Sequence, residues 1–206
     1  MRDRSSNMRR SNEGVYPPRE DSFLLLPFAT VPPGTTVLEV GAGTGLVTLA
    51  AARSGARVVA TDLNLEALRR LRAVARSERL VAELVRTDLA AGLGRFDRVL
   101  ANPPYLPTRP EERDPDRATN LALDGGPDGC QVLRRLLAGL PDHLSPGGAA
   151  YVVGSSLQRG PALDDLEADW QHRGGQQEKV AERLLEGERL VVWRFTHGGS
   201  TGGSAR

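Results

Sequence analysis

Residues 35–40 are apolar nearly throughout, with Val37, Leu38 and Val40, as in a strand covered on both faces. They run straight into Gly41-Ala42-Gly43-Thr44-Gly45. Residues 46–54 then read as a helix, with Gly55 placed to cap it. Such a turn lets backbone approach a ligand closely and offers the free N–H groups of a helix start. It also sits where open α/β sheets bind ligands, at a strand's carboxyl end. The spacing is not that of a dinucleotide turn, because Leu46 stands where G-x-G-x-x-G needs its third glycine. No Gly-Lys-Ser/Thr follows, which excludes a Walker phosphate loop. Glu39, just before the turn, would oppose a pyrophosphate and suits a ligand carrying positive charge.

The same strand–helix alternation recurs. Residues 57–61 form a second strand ending at Asp62, and Asn64 is placed to cap a helix whose stripe is Leu65, Leu68, Leu71 and Val74. Third and fourth strands are expected at 82–86, ending near Asp88, and at 96–101, ending at Asn102. Residues 106–123, rich in Pro, Arg, Asp and Glu, read as a long aperiodic loop of the kind that serves as a lid. A helix is expected at 131–143, with Val132, Leu133, Leu136, Leu137 and Leu140 as its stripe. A turn at 146–148 and a fifth strand at 149–153 follow, then a helix at 163–170. Strands at 176–185 and 189–195, joined by Glu186-Gly187-Glu188, read as a closing hairpin. A short helix between Val15 and Thr30 begins after Tyr16-Pro17-Pro18. The order predicts an α/β fold: a seven-stranded, mostly parallel sheet, helices on both faces, and a C-terminal antiparallel hairpin. Residues 15–197 are expected to form one domain, between a disordered arm at 1–14 and a flexible Gly/Ser tail at 198–206.

Three strand ends carry candidate chemistry. Asp62, 21 positions after Gly41, can accept from both ribose hydroxyls. Asp88 can accept from an adenine amino group. Each alone reads as a cap or turn residue, but together beside a glycine turn they favour an adenosine ligand. Asn102-Pro103-Pro104-Tyr105 stops its strand abruptly, since each proline fixes φ and lacks an N–H. A carboxamide oxygen and a free proline carbonyl can accept two hydrogen bonds from an –NH2 group. The Tyr105 ring can stack on a flat amide or base.

Composition narrows the class. One cysteine, Cys130, and three scattered histidines leave no disulfide and no metal-ligand pattern, so no metal is expected. No apolar run nears the length of a membrane span, and the Arg/Ser-rich start is no secretory signal, so a cytoplasmic protein is expected. A net charge of +1 gives no broad basic surface for nucleic acid, although the arm holds Arg2, Arg4, Arg9 and Arg10. Aromatics are 4% of the chain, so the core should be aliphatic. Lys179 is the only lysine among 27 basic residues, which suggests a GC-rich, prokaryotic source.

The glycine turn with Glu39, Asp62, Asp88 and Asn102–Tyr105 resembles class I S-adenosylmethionine-dependent methyltransferases that modify a planar nitrogen. Ala122-Leu123-Asp124-Gly125-Gly126-Pro127-Asp128-Gly129 is similar to a segment of the HemK-like release-factor glutamine methyltransferases. Tyr16, Pro18 and Glu20-Asp21-Ser22-Phe23-Leu24-Leu25 resemble the start of their shorter eukaryotic and archaeal branch, from which Pro17 and Arg19 depart. The resemblance implies a Rossmann-like sheet and S-adenosylmethionine held by Ser22, Glu39, Gly41, Gly43, Asp62, Asp88 and Asn102. It implies methylation of a glutamine amide clamped by Asn102, Pro103, Pro104 and Tyr105, with Asn102, Pro103 and Tyr105 as catalytic groups. It also implies a small zinc-binding activator protein, here expected on the edge strand at 82–86. Two alternatives stay open at this point: a nucleic-acid base N-methyltransferase, and a non-catalytic binding module on the same fold.

Overall fold

In the computed structural model, which describes residues 14–158 and 168–197, strands and helices alternate around one sheet. The elements are α1 (Glu20–Leu25), β1 (Thr36–Val40), α2 (Leu46–Arg53), β2 (Arg57–Asp62), α3 (Leu65–Ser77), β3 (Glu83–Arg86), β4 (Phe96–Ala101), α4 (Arg117–Leu123), α5 (Gln131–His143), β5 (Leu144–Ser155), β6 (Gly175–Leu185) and β7 (Glu188–His197). Among the described residues the sheet has seven strands in the order β3-β2-β1-β4-β5-β7-β6. The first five in sequence pair in parallel, and β7 runs antiparallel to β5 and β6. The expected hairpin is there: Leu185 pairs with Glu188 across a two-residue turn, where Gly187 takes φ +77. Of the expected arm at 1–14 all but Gly14, with the tail at 198–206 and most of the helix at 163–170, lie outside the described residues; residues 168–172 are helical.

Each central strand is buried on both faces because its side chains alternate. Val37, Val58, Leu100, Tyr151 and Val153 pack against α1 and α2, through Leu25, Val47 and Ala51. Leu38, Val40, Val99, Ala150 and Val152 face α5, through Leu133, Leu136, Leu137 and Leu140. The core is mainly aliphatic, but Trp170 is fully buried and packs edge-on against Phe195 at 5.6 Å. No helix among the described residues is long and apolar enough to cross a membrane.

Three expectations need correction. The stretch 106–123 is not an aperiodic loop: it holds a 3-10 turn at Pro110–Glu112 and α4. Asp116 caps α4 by accepting from the Ala118 and Thr119 amides, and none of its residues is fully buried, so no hydrophobic period marks it. The turn at 146–148 is a bulge inside β5, which begins at Leu144; the pairing with β4 shifts register between Phe96 and Arg98. On α3 the buried face is Ala67, Leu68, Leu71 and Ala75, while Leu65 and Val74 are exposed.

Strand register decides what meets what. Val40 lies level with Thr61 on β2 and with Ala101 on β4. The next residue on each strand is therefore Gly41, Asp62 and Asn102. Three separate motifs leave the sheet side by side, at the point where the strand order reverses.

Candidate active site

At this end of the sheet lies an open cleft of about 1050 Å³, lined by the glycine turn, Asp62, Asp88 and Asn102–Tyr105, with Ser22 and Glu39. It thus brings together all the sequence-expected site residues.

The glycine turn is held rather than loose. Gly41 and Ala42 both donate to the Thr61 carbonyl, at 2.9 and 2.8 Å. Gly43 donates to Asp62 Oδ2 at 2.8 Å, and Asn64 N to Asp62 Oδ1 at 2.7 Å. Each Asp62 oxygen therefore accepts one backbone N–H and keeps further acceptor capacity. Gly45 serves packing: a Cβ there would lie 2.2 Å from Leu71 Cδ1.

Glu39 is buried at the floor, on the face of β1 that meets α2, where the Thr48 hydroxyl donates to its carboxylate. Burial pushes its pKa from 4.5 up to about 8; the Thr48 bonds oppose that and Asp62 adds to it. A cationic group arriving beside it would restore the ionised form.

Asp88 lies just beyond β3. Its Oδ2 accepts from Arg135 Nη2 of α5 at 2.6 Å, and both side chains are half exposed. Leu89, next to it, takes φ +51, a left-handed conformation that costs a branched side chain about 1–2 kcal/mol. The strain turns the chain at the edge of the cleft.

Asn102 follows β4, and its Oδ1 is buried without a hydrogen-bond partner among the described residues. Buried polar atoms are rarely left so, and each costs about 1–3 kcal/mol. The oxygen is available to accept an N–H from a ligand in the cleft. Pro103 beside it is buried, and Tyr105 packs against the core around α1. The Tyr105 hydroxyl donates to Asp21 Oδ2 at 3.1 Å. Burial raises the phenol's pKa well above its ordinary value, and the charges of Asp21 and Glu188 raise it further.

Ser22 lies in the first turn of α1 and donates to Asp21 Oδ1 from its amide, at 2.6 Å, and from its hydroxyl, at 3.2 Å.

The 122–129 segment has a physical role here. Leu106, just past Tyr105, donates to the Leu123 carbonyl at 3.1 Å and accepts from Gly125 N at 2.9 Å; Thr108 N donates to Gly126 O at 2.8 Å. A Cβ on Gly129 would sit 2.3 Å from the Tyr105 carbonyl oxygen. Gln158, from beyond β5, donates to Gly129 O at 3.0 Å, and its Oε1 accepts from Ser155 N. This segment braces the Asn102–Tyr105 turn.

Sequence reasoning missed Thr48, Arg135, Gln158 and the role of Asp21. Thr48 carried a signal, since it faces back from the helix that follows the glycine turn; the others meet their partners only through the fold.

The donor set fits S-adenosylmethionine: a buried carboxylate for an amine, fixed Asp62 oxygens for a diol, a half-exposed Asp88 for an exocyclic amine, and open glycine backbone between them. The comparisons agree. Residues 18–117 match the Methyltransferase small domain family. A putative protein N5-glutamine methyltransferase of Methanocaldococcus jannaschii is 40% identical over 145 residues, 69% of this chain and 73% of that protein. Methyltransferase HEMK2 of Mus musculus is 36% identical over 195 residues, 88% of this chain and 89% of that protein. Among solved structures, an E. cuniculi Mtq2–Trm112 complex, described as responsible for methylation of the translation termination factor eRF1, superposes with TM-score 0.69 and 26% identity. That match covers 90% of this chain and 99% of that one.

Proposed function

Because the chain belongs to the HemK-like protein N5-glutamine methyltransferases, which use S-adenosylmethionine, we propose that it methylates the side-chain amide of a glutamine in a peptide chain release factor. The observation that carries this reading is the buried, unpartnered Oδ1 of Asn102 beside the glycine turn.

In this reading Glu39 takes the amino end of the cofactor, directly or through a water. Ser22 lies toward its carboxylate end. Gly41 and Gly43 line its path, Asp62 accepts from the ribose hydroxyls and Asp88 from the adenine, with Asn102 near the centre. When bound, the cofactor supplies a methyl group activated by its sulfonium.

An amide nitrogen is a poor nucleophile, since its lone pair is delocalised into the carbonyl. Asn102 Oδ1 accepts one N–H of the acceptor amide and the Pro103 carbonyl accepts the other. Both point partial negative charge at a nitrogen that becomes positive, so they bind the transition state more tightly than the ground state. Pro104 keeps the turn rigid, and Tyr105 walls the amide plane. No general base is needed, because the methylated cation is acidic and loses its proton to solvent. Holding the nitrogen in line supplies much of the remaining acceleration.

A small zinc-binding activator belongs to this reading. The E. cuniculi relative was solved with Trm112. In this chain β3 is an edge strand, and Val81 just ahead of it is 83% exposed. Acting on a translation factor, the enzyme works in the cytoplasm, as one domain over residues 15–197.

The test is transfer of labelled methyl from S-adenosylmethionine to release factor, tRNA, rRNA or DNA, each offered alone and in competition. Label on the release factor is expected. Label on nucleic acid would favour a base methyltransferase, and no cofactor binding by calorimetry would favour a scaffold.

A further inference from the structure

Tyr105 is fixed at two points. Its backbone is held from one side, where Leu106 joins the 122–126 segment and Gly129 comes within contact of its carbonyl. Its hydroxyl is held from the other side by Asp21, 84 residues away in sequence. Asp21 is itself immobilised: its second oxygen accepts from the Ser22 amide and hydroxyl, so the carboxylate cannot turn away from the ring. The geometry points to Asp21 as a positioning residue that fixes where the tip of the Tyr105 ring stands beside the acceptor amide and ties it to α1. This rests on the methyl-transfer reading given above.

The chemistry supports that assignment. The Tyr105 side chain can swing about its Cα–Cβ bond unless the hydroxyl at its tip is anchored. A carboxylate is the strongest neutral-pH acceptor for that tip, since a charged acceptor shortens and strengthens the bond. Burial and the nearby charges of Asp21 and Glu188 keep the phenol protonated, so it always donates. The same first turn of α1 carries Ser22, assigned to the cofactor's carboxylate end. Asp21 therefore joins the cofactor side of the cleft to its acceptor side through one short, locked contact.

The test is a double-mutant cycle with Asp21→Ala, Tyr105→Phe and both, read as kcat/KM for the release-factor acceptor and as cofactor affinity by calorimetry. Loss of either partner should lower acceptor kcat/KM by about 10- to 100-fold, while in Tyr105→Phe cofactor affinity stays within about twofold, since only ring placement changes there. The double variant should lose no more than either single one. Asp21→Asn, which keeps one of the two acceptor oxygens, should fall between wild type and Asp21→Ala; it also covers the case in which Asp21→Ala fails to fold. Unchanged turnover in Tyr105→Phe, or fully additive losses, would overturn the assignment. A readout independent of any acceptor is the ¹⁹F spectrum of protein labelled with 3-fluorotyrosine, the Tyr105 line being identified by its absence in Tyr105→Phe. That line should be narrow in wild type and shifted or broadened in Asp21→Ala; an unchanged line overturns the assignment. If wild type methylates no glutamine while the line responds as expected, the functional reading fails and the anchoring stands.

Discussion

In the proposed reaction Asn102 carries the chemistry, because its side-chain oxygen is buried with no hydrogen-bond donor among the described residues. That cost is recovered only when an acceptor N–H arrives, and more fully as the nitrogen gains charge. Asn102→Ala should lower kcat by about 10²–10³-fold, the scale of losing one preorganised transition-state partner, with cofactor affinity changed by only a few fold. Steady-state kinetics beside calorimetry separate the two. Glu39 gives a second residue-level outcome. Its carboxyl is raised from 4.5 to about 8 by burial, so the folded protein holds a proton that the unfolded chain releases near 4.5. The associated stability is fully present below about pH 4.5 and is lost as pH rises toward 8, with a limiting slope of about 1.4 kcal/mol per pH unit. Urea unfolding at stepped pH should show that slope in the ligand-free protein and not in Glu39→Gln. In the proposed binding mode cofactor affinity should rise over the same window, because a cationic amine favours the ionised Glu39 carboxylate. The residue types of both sites were legible in the sequence. Glu39's burial against Thr48, and the missing donor at Asn102, were not, because each depends on what surrounds the side chain.

The turn at 102–105 works only because another segment holds it. Gly129 takes φ +76, and any side chain there meets the Tyr105 carbonyl at 2.3 Å. Gly129→Ala should destabilise the fold by about 2 kcal/mol or more and lower acceptor kcat/KM, since strained backbone and a displaced turn add together. Gly187→Ala, at φ +77 with open space around it, should cost only about 1 kcal/mol and leave the kinetics unchanged. Thermal unfolding and turnover of the two variants check the difference. Elements with strong hydrophobic period were legible: α5 spans Gln131–His143 as expected, because four leucines mark one face. Helix α4 was not, because it is short, capped by Asp116 and buries no residue fully. The 122–129 segment was legible as a resemblance but not as a brace, since its partners at Tyr105 and Gln158 lie outside any local pattern.

The whole molecule places its site by register. The alternation of strands and helices and the closing hairpin could be read from the sequence, but not that Val40, Thr61 and Ala101 lie level. That level brings Gly41, Asp62 and Asn102 together, and inter-strand register has no local signature. The same topology leaves β3 at an edge with Val81 exposed. Co-expression with a small zinc-binding activator should raise soluble yield and activity, and Val81→Asp should abolish the gain while improving the solubility of the chain alone; equal yields in every case would mark a self-sufficient monomer. In the proposed activity this cleft clamps a glutamine amide for methylation. That activity is tested most directly by tandem mass spectrometry of release factor incubated with S-adenosylmethionine and either wild type or Asn102→Ala. Wild type should leave one methyl on a glutamine side-chain nitrogen, and Asn102→Ala almost none. A methyl on another residue type, or equal labelling by both proteins, would contradict it.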